Sequence, residues 1–128
     1  MPTELPTYLS LENGFATFRP QGEFTFDQAV DLIDQALGYC MNNNIRGLLA
    51  DVTEMTGFPP PTTIERFNFA TKWAGTASGK VILSMIARPE MIDTDKIGVT
   101  MAGNRGLRCE VFTTDTDATD WLVSEFGS

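Results

Sequence analysis

The sequence predicts one α/β domain, built on a mostly parallel sheet with helices packed against it. Short apolar runs alternate along the chain with longer stretches of helical periodicity, in the order β-β-α-β-α-β-α-β-α. Strands that alternate with helices form parallel sheets through right-handed crossovers. The chain has 128 residues and is 42% apolar, which is enough for one core. No repeat or linker divides residues 1–128, so we expect a single domain.

Two strands joined by a tight turn are predicted to precede the first helix. Residues 7–12 (TYLSLE) alternate in polarity, and residues 15–22 (FATFRPQG) lead away from them. Asn13 and Gly14 lie between the two runs. An Asn-Gly pair in this position is a strong hairpin signal, because both residues of the turn must adopt positive φ. The hairpin is expected to add an antiparallel edge to the sheet.

The first helix is predicted to begin at Thr25, which has the spacing of a capping box with Gln28. Apolar residues then recur at every third or fourth position until the asparagines at 42–44 end the helix. Residues 46–52 (RGLLADV) and 80–87 (KVILSMIA) are short, nearly continuous apolar runs. Such runs are typical of strands that are covered on both faces.

A second capping box, formed by Thr62 and Glu65, follows three consecutive prolines. It predicts a helix over residues 63–76. The remaining predicted elements are, in order, a weak helix over residues 90–104, a strand over 107–113 and a helix over 116–126.

Charge and residue content exclude several classes of function. The net charge is −8 and the nine Lys and Arg residues are scattered, so no nucleic-acid-binding surface is expected. The chain has no histidine, and Cys40 and Cys109 lack CxxC spacing. The sequence therefore lacks the usual ligands of a zinc site and the histidine that His-dependent catalysis requires. Asp51 ends a predicted central strand without a visible base, nucleophile or second carboxylate. The sequence therefore predicts a protein that is not an enzyme and uses no metal or cofactor.

The sequence also predicts a cytoplasmic protein that does not insert into membranes. Its longest stretch without a charged residue, residues 35–45, contains three asparagines. A membrane-spanning helix needs about 18 or more mostly apolar residues. The first ten residues carry an acid and no basic residue, unlike a secretory signal.

Residues 103–122 (GNRGLRCEVFTTDTDATDWL) carry the most specific resemblance to known proteins. An Arg-Gly-Leu turn, a strand that ends in Val-Phe and a helix with Ala-x-x-Trp-Leu follow one another there. Together with Gly14, Thr25 and a strand that ends at Asp51, this order resembles the bacterial SpoIIAA-like family. That family is related to STAS domains and to Sec14/CRAL-TRIO lipid-binding folds. The resemblance extends over about residues 13–126.

The resemblance implies a single-sheet STAS-like fold and a regulatory function of the anti-sigma factor antagonist type, exerted through protein partners. The kinship with Sec14-like folds implies an alternative, which is the binding or carriage of an apolar small molecule or lipid.

The usual serine phosphoswitch of SpoIIAA-type proteins is not expected here. In those proteins, an Asp-Ser-Gly stretch supplies the serine at the start of the helix after the central strand. The corresponding residues 57–65 (GFPPPTTIE) lack that stretch. Thr62 and Thr63 are the only hydroxyls near the right place, and Thr62 is the predicted N-cap. We therefore expect capping, with phosphorylation of either threonine as the less favoured alternative.

The helix over residues 63–76 has more apolar surface than packing on a sheet requires. At 100° per residue, one stripe is predicted to face the core, and it consists of Ile64, Phe67, Ala70 and Ala74. Phe69 and Trp73 fall on the far flank of that stripe, with Arg66 inside the same arc.

Three alternatives could cover this flank. The preceding loop could fold over it through Met55 and Phe58. A homodimer or partner interface could bury it, because Trp, Phe, Met and Arg anchor interfaces. Finally, the flank could wall a pocket for an apolar ligand together with Ile97 and Met101 of the weak helix. The candidate partner- or ligand-binding residues are therefore Met55, Phe58, Arg66, Phe69, Trp73, Ile97 and Met101.

Overall fold

A five-stranded sheet forms the centre of the computed structural model, which describes residues 7–12, 14–92 and 96–126. The strands are β1 (Leu9–Glu12), β2 (Phe15–Phe18), β3 (Gly22–Glu23), β4 (Gly47–Asp51), β5 (Met55–Thr56), β6 (Ile82–Ile86) and β7 (Cys109–Phe112). The helices are α1 (Phe26–Asn42), α2 (Thr63–Ala77), α3 (Ile97–Asn104) and α4 (Asp115–Phe126), with a 3-10 turn at Pro89–Met91.

The order of the strands across the central sheet is β1-β2-β4-β6-β7. Strand β1 pairs antiparallel with β2, and all other pairs are parallel. This arrangement confirms the predicted α/β fold with an antiparallel edge. The Asn13 position of the predicted turn lies outside the described residues.

A second, two-stranded sheet was not predicted. In it β3 pairs in parallel with β5, so that Gly22 lies opposite Met55. Each strand has only two residues, which is too short to produce a recognisable alternation in sequence. The small sheet holds the chain after β4 against the segment that enters α1.

Helices cover both faces of the central sheet. Leu48 and Leu83 belong to a core cluster shared with α1, α2 and α3. The neighbouring Leu49 belongs to a second cluster, which α4 closes through Leu122. Successive strand residues point to opposite faces, so adjacent leucines of β4 enter different clusters. Because both faces of the sheet are buried, the sequences of β4 and β6 are continuously apolar.

Helix α2 buries only half of the stripe that was predicted to face the core. Ile64 is 74% exposed and Phe67 is 42% exposed, whereas Trp73 is 4% exposed. The buried residues are Ala70 and Ala74 of that stripe, together with Trp73 of the flank and Ala77. The helix is therefore rotated, because the large indole packs toward α1 and the small alanines allow close approach.

The weak helix predicted over residues 90–104 is interrupted. A 3-10 turn occupies Pro89–Met91, Ile92 is extended, and α3 begins only at Ile97. Lys96, which precedes α3, has φ of 50° and provides no side-chain cap. The predicted capping boxes of α1 and α2 are both present with their two hydrogen bonds.

Arg19 connects three elements at the carboxyl edge of the sheet. Its guanidinium donates from Nη1 to Asp51 Oδ2 at 2.6 Å and from Nη2 to Asp115 Oδ2 at 2.5 Å. Asp51 Oδ1 in turn accepts from the backbone N and the hydroxyl of Thr53, at 3.0 and 2.6 Å. The end of β4 is thus fixed to the residue after β2 and to the first turn of α4.

The hydrogen bond from Arg19 holds the pKa of Asp115 below its usual value, with help from the Thr119 hydroxyl and against partial desolvation. A carboxylate with a lowered folded-state pKa stabilises the protein above its unfolded pKa, near ~3.9, and loses that contribution as pH falls through the folded-state value. We expect Asp115→Asn to be less stable than wild type near neutral pH and to lose less stability on acidification. Urea denaturation from neutral pH down to about pH 3 checks this. Equal pH slopes for the two proteins would contradict it.

Gly57 is predicted to tolerate no side chain. Its φ is +106°, and a Cβ would lie 2.4 Å from the backbone oxygen of Phe24. We expect Gly57→Ala to lower the free energy of unfolding by about 1–3 kcal/mol, since a strained L-residue and a backbone clash coincide. Gly75→Ala is the matched control, because its Cβ would meet nothing within 4 Å and alanine favours a helix by ~0.5–1 kcal/mol. Urea denaturation should show changes of opposite sign, and a neutral Gly57→Ala would contradict the geometry.

Candidate functional site

An apolar cavity of about 120 Å³ lies between the sheet and helices α1, α2 and α3. Phe26, Ala29, Val30 and Ile33 of α1 form one wall, and Phe69, Ala70 and Trp73 of α2 form another. The floor consists of Met85, Ala87, Cys109 and Val111. Protein interiors contain few voids larger than a water molecule, so a cavity of this size needs an explanation.

A chain of aromatic rings shapes the wall between α1 and α2. Phe69 stacks on Trp73 with ring centroids 4.5 Å apart, and Phe26 lies 6.2 Å from Phe69. The indole Nε1 of Trp73 donates to the backbone oxygen of Val30 at 3.1 Å. The buried indole is thus satisfied, and its direction is fixed by a hydrogen bond to the facing helix. The rings line an internal space, which leaves Trp73 unavailable as an outer docking surface.

The loop after β4 closes the end of the cavity near the start of α2. Met55 of β5 is 1% exposed, and Phe58 packs edge-on against Phe26 at 5.8 Å. Arg88 donates to the backbone oxygen of Met55 at 3.3 Å. Pairing of β5 with β3 and this hydrogen bond together hold the loop over α1. The loop covers part of the aromatic flank, as the first of the three alternatives expected, but a cavity remains beneath it.

Two cations line the cavity, and their environments differ. Lys96 Nζ lies 2.9 Å from Glu110 Oε1 and 3.1 Å from the backbone oxygen of Val111. Arg66 donates only a long hydrogen bond of 3.4 Å, from Nη2 to the backbone oxygen of Met91. The charge of Lys96 is therefore matched within the fold.

The thiol of Cys109 behaves as an apolar group of the lining. Burial, with a smaller contribution from Glu110, raises its pKa to about 12. Burial also raises the pKa of Cys40 to about 12. Because the thiolate is the nucleophilic form, neither cysteine is set up for nucleophilic chemistry.

Five of the seven sequence-predicted site residues meet at the cavity. They are Met55, Phe58, Arg66, Phe69 and Trp73. Met101 does not line the cavity. Its side chain is partly buried and packs against the core cluster that Leu48 and Leu83 share with α1, α2 and α3. The side chain of Ile97 lies outside the described part of the structure.

Sequence reasoning missed the contributions of α1 and of the sheet. Phe26 and Val30 recur at helical spacing, but this signal indicates only a buried face. Lys96 gives no local signal, because its position depends on the irregular turn before α3.

Thr62 and Thr63 lie outside the cavity. The Thr62 hydroxyl oxygen accepts from the backbone N of Glu65 at 3.1 Å, and Glu65 Oε1 accepts from the Thr62 N at 2.9 Å. Thr62 thus acts as the predicted N-cap, while Thr63 is exposed. Phosphorylation at either residue stays a prediction that is not favoured.

Within residues 7–12, 14–92 and 96–126, no group of three or more His, Cys, Asp or Glu side chains could hold a metal ion. No helix in this part of the chain is both long and apolar enough to cross a membrane.

No protein-family model matches the sequence, and no curated protein matches it. Several solved structures are similar to this chain in fold. An anti-sigma factor antagonist from Mycobacterium paratuberculosis is 16% identical, covers 90% of this chain and 91% of its own, and superposes with a TM-score of 0.54. An uncharacterized DUF3478-family protein from Shewanella loihica PV-4, described as having a SpoIIAA-like fold, is also 16% identical. It covers 95% of this chain and 98% of its own, with a TM-score of 0.50. The chain therefore has a SpoIIAA-like, STAS-type fold.

Proposed function

We propose that the protein binds a small apolar molecule in the cavity between α1, α2 and α3. The observation that carries this proposal is an unfilled, partly open apolar space of about 120 Å³ between the sheet and three helices. Apolar walls that have no packing partner lose the free energy of the missing van der Waals contacts. A ligand that restores the missing contacts recovers part of that free energy as affinity.

The size of the cavity limits the size of the ligand. Most small-molecule pockets have volumes of about 300–1,000 Å³, whereas an apolar cavity of about 150 Å³ binds a molecule as small as benzene. A single ring or a short chain therefore fits the space as it stands. A longer chain would need α3 to move outward.

The construction of α3 supports such a movement. The helix has eight residues and lacks a side-chain N-cap. Gly98, Val99 and Gly103 are poor helix formers, and isolated helices this short are marginal. Because Val99 and Ala102 line the cavity, displacement of α3 would enlarge it directly.

Binding is favoured over catalysis by the chemistry of the lining. The titratable side chains among the described lining residues are Arg66, Lys96 and Cys109. They offer no carboxylate or neutral base for proton transfer at neutral pH. The cavity is thus suited to hold a molecule and not to transform it.

The binding proposal predicts that toluene enters the cavity. In a Trp121→Phe background, toluene should change the fluorescence of Trp73, with a Kd near ~1 mM or tighter. Val99→Phe should fill the space and abolish the response. Val123→Phe is the matched control, because Val123 is 50% exposed on α4 and should leave binding unchanged. Equal responses from the two Phe variants would contradict the cavity as the site.

A regulatory protein-interaction module is the second candidate. The first turns of α2 expose Ile64 and Phe67, three positions apart on one side of the helix, to solvent. Contiguous exposed apolar patches mark interaction surfaces. One protein of similar fold is described as an anti-sigma factor antagonist, which supports a partner-binding function on this scaffold. The two candidates use opposite faces of α2.

The interaction candidate predicts self-association through these two side chains. Sedimentation equilibrium should show a dimer that dissociates when Ile64 and Phe67 are both replaced by Glu. Val123→Glu, a substitution at an equally apolar and exposed position on α4, should leave the dimer intact. A wild-type protein that stays monomeric at the highest concentrations would argue against this surface as a self-association site.

A further inference from the structure

We propose that the ligand of the cavity is a small apolar monocarboxylate whose acid group pairs with Arg66. This inference rests on the proposed binding function and specifies the class of molecule that is bound. It follows from the one cation of the lining whose charge the described residues do not match.

Arg66 is half-buried on α2 and lines the cavity. Within the described part of the chain it makes one hydrogen bond, of 3.4 Å, to the backbone oxygen of Met91, which also lines the cavity. The guanidinium group therefore lies at the margin of the apolar space, where the 3-10 turn faces α2. A guanidinium carries five N–H donors, so most of its hydrogen-bonding capacity is unused by the described residues.

The carboxylates on the surrounding elements are engaged elsewhere, as far as the described residues extend. Glu65 accepts from the backbone N of Thr62 at 2.9 Å. Glu90 lies 3.7 Å from Arg88, and Glu110 pairs with Lys96 at 2.9 Å. Among the described residues, Arg66 is in no ion pair. A partly desolvated cation beside apolar walls is stabilised most by an anion that brings its own apolar group.

The guanidinium is suited to an oxyanion, because its planar fork pairs bidentately with carboxylates and phosphates. The small size of the apolar space favours the carboxylate, which is the smaller of these groups and carries a single charge. Apart from Lys96, which pairs with Glu110, the remaining walls are apolar side chains, with Cys109 protonated, so the rest of the ligand must be uncharged. A single carboxylate on a ring or short chain satisfies both conditions.

Four molecules that share one ring and differ in one substituent test the inference: toluene, benzyl alcohol, benzylamine and benzoate. Near neutral pH, wild-type protein should bind benzoate roughly ten- to hundredfold more tightly than benzyl alcohol, because hydrogen bonds to charged groups contribute more than neutral ones. Benzylamine should bind worst. Isothermal titration calorimetry measures all four affinities.

Arg66→Gln should abolish the preference for benzoate over benzyl alcohol, and toluene binding by the same variant reports whether the cavity is intact. Arg105→Gln is the matched control, because Arg105 lies over Phe67 on the outer side. It should keep the preference. If Arg66→Gln does not fold, Arg66→Met serves in its place.

These outcomes distinguish a failure of the proposed binding function from a failure of the carboxylate inference. If toluene does not bind the wild type, the proposed binding function fails. If toluene binds but benzoate binds no better than benzyl alcohol, the carboxylate inference alone is overturned. A benzoate preference that persists without Arg66 would overturn it as well.

Discussion

The contact of Trp73 with α1 is the interaction on which the rest of the helical layer depends. Its indole stacks on Phe69 and donates to the backbone of α1. The hydrogen bond sets the rotation of α2, because the buried N–H must find an acceptor. That rotation determines which residues α2 buries, which it exposes and which it turns toward the cavity. One side chain thus links the core, the outer face and the candidate site.

The same rotation gives α2 two faces with different chemistry. The inner face presents aromatic rings and the guanidinium of Arg66 to a small apolar space. The outer face leaves Ile64 and Phe67 in solvent. The proposed ligand site and the proposed partner surface therefore do not compete for area on this helix. If both faces of α2 were used in this way, the fold could bind a ligand and a partner at the same time.

Local signals in the sequence predicted local structure well. The capping boxes at Thr25 and Thr62 are confirmed, because each depends on contacts between residues three positions apart. Strands β4 and β6 were recognised because burial on both faces makes them continuously apolar. The arc of apolar residues on α2 also indicated an unusual second flank, and five residues chosen from it and its loop line the cavity.

The rotation of α2 about its own axis could not be predicted in the same way. A helical projection gives the angles between side chains but not the acceptor on α1 that orients Trp73. Ile64 and Phe67 were therefore assigned to the core incorrectly. Strand β5 has too few residues for a pattern, and the contribution of the sheet to the cavity depends on tertiary contacts. A cavity is a space that no residue fills, so a sequence indicates it only through the surplus of residues around it.

The most direct measurement is a crystal structure of the protein under xenon pressure. Xenon enters apolar cavities of this size without needing a charged partner. The account predicts xenon density between Phe69, Trp73 and Val99, beneath α3. A structure in which side chains fill that space and no xenon binds there would contradict the cavity, and with it the proposed ligand site.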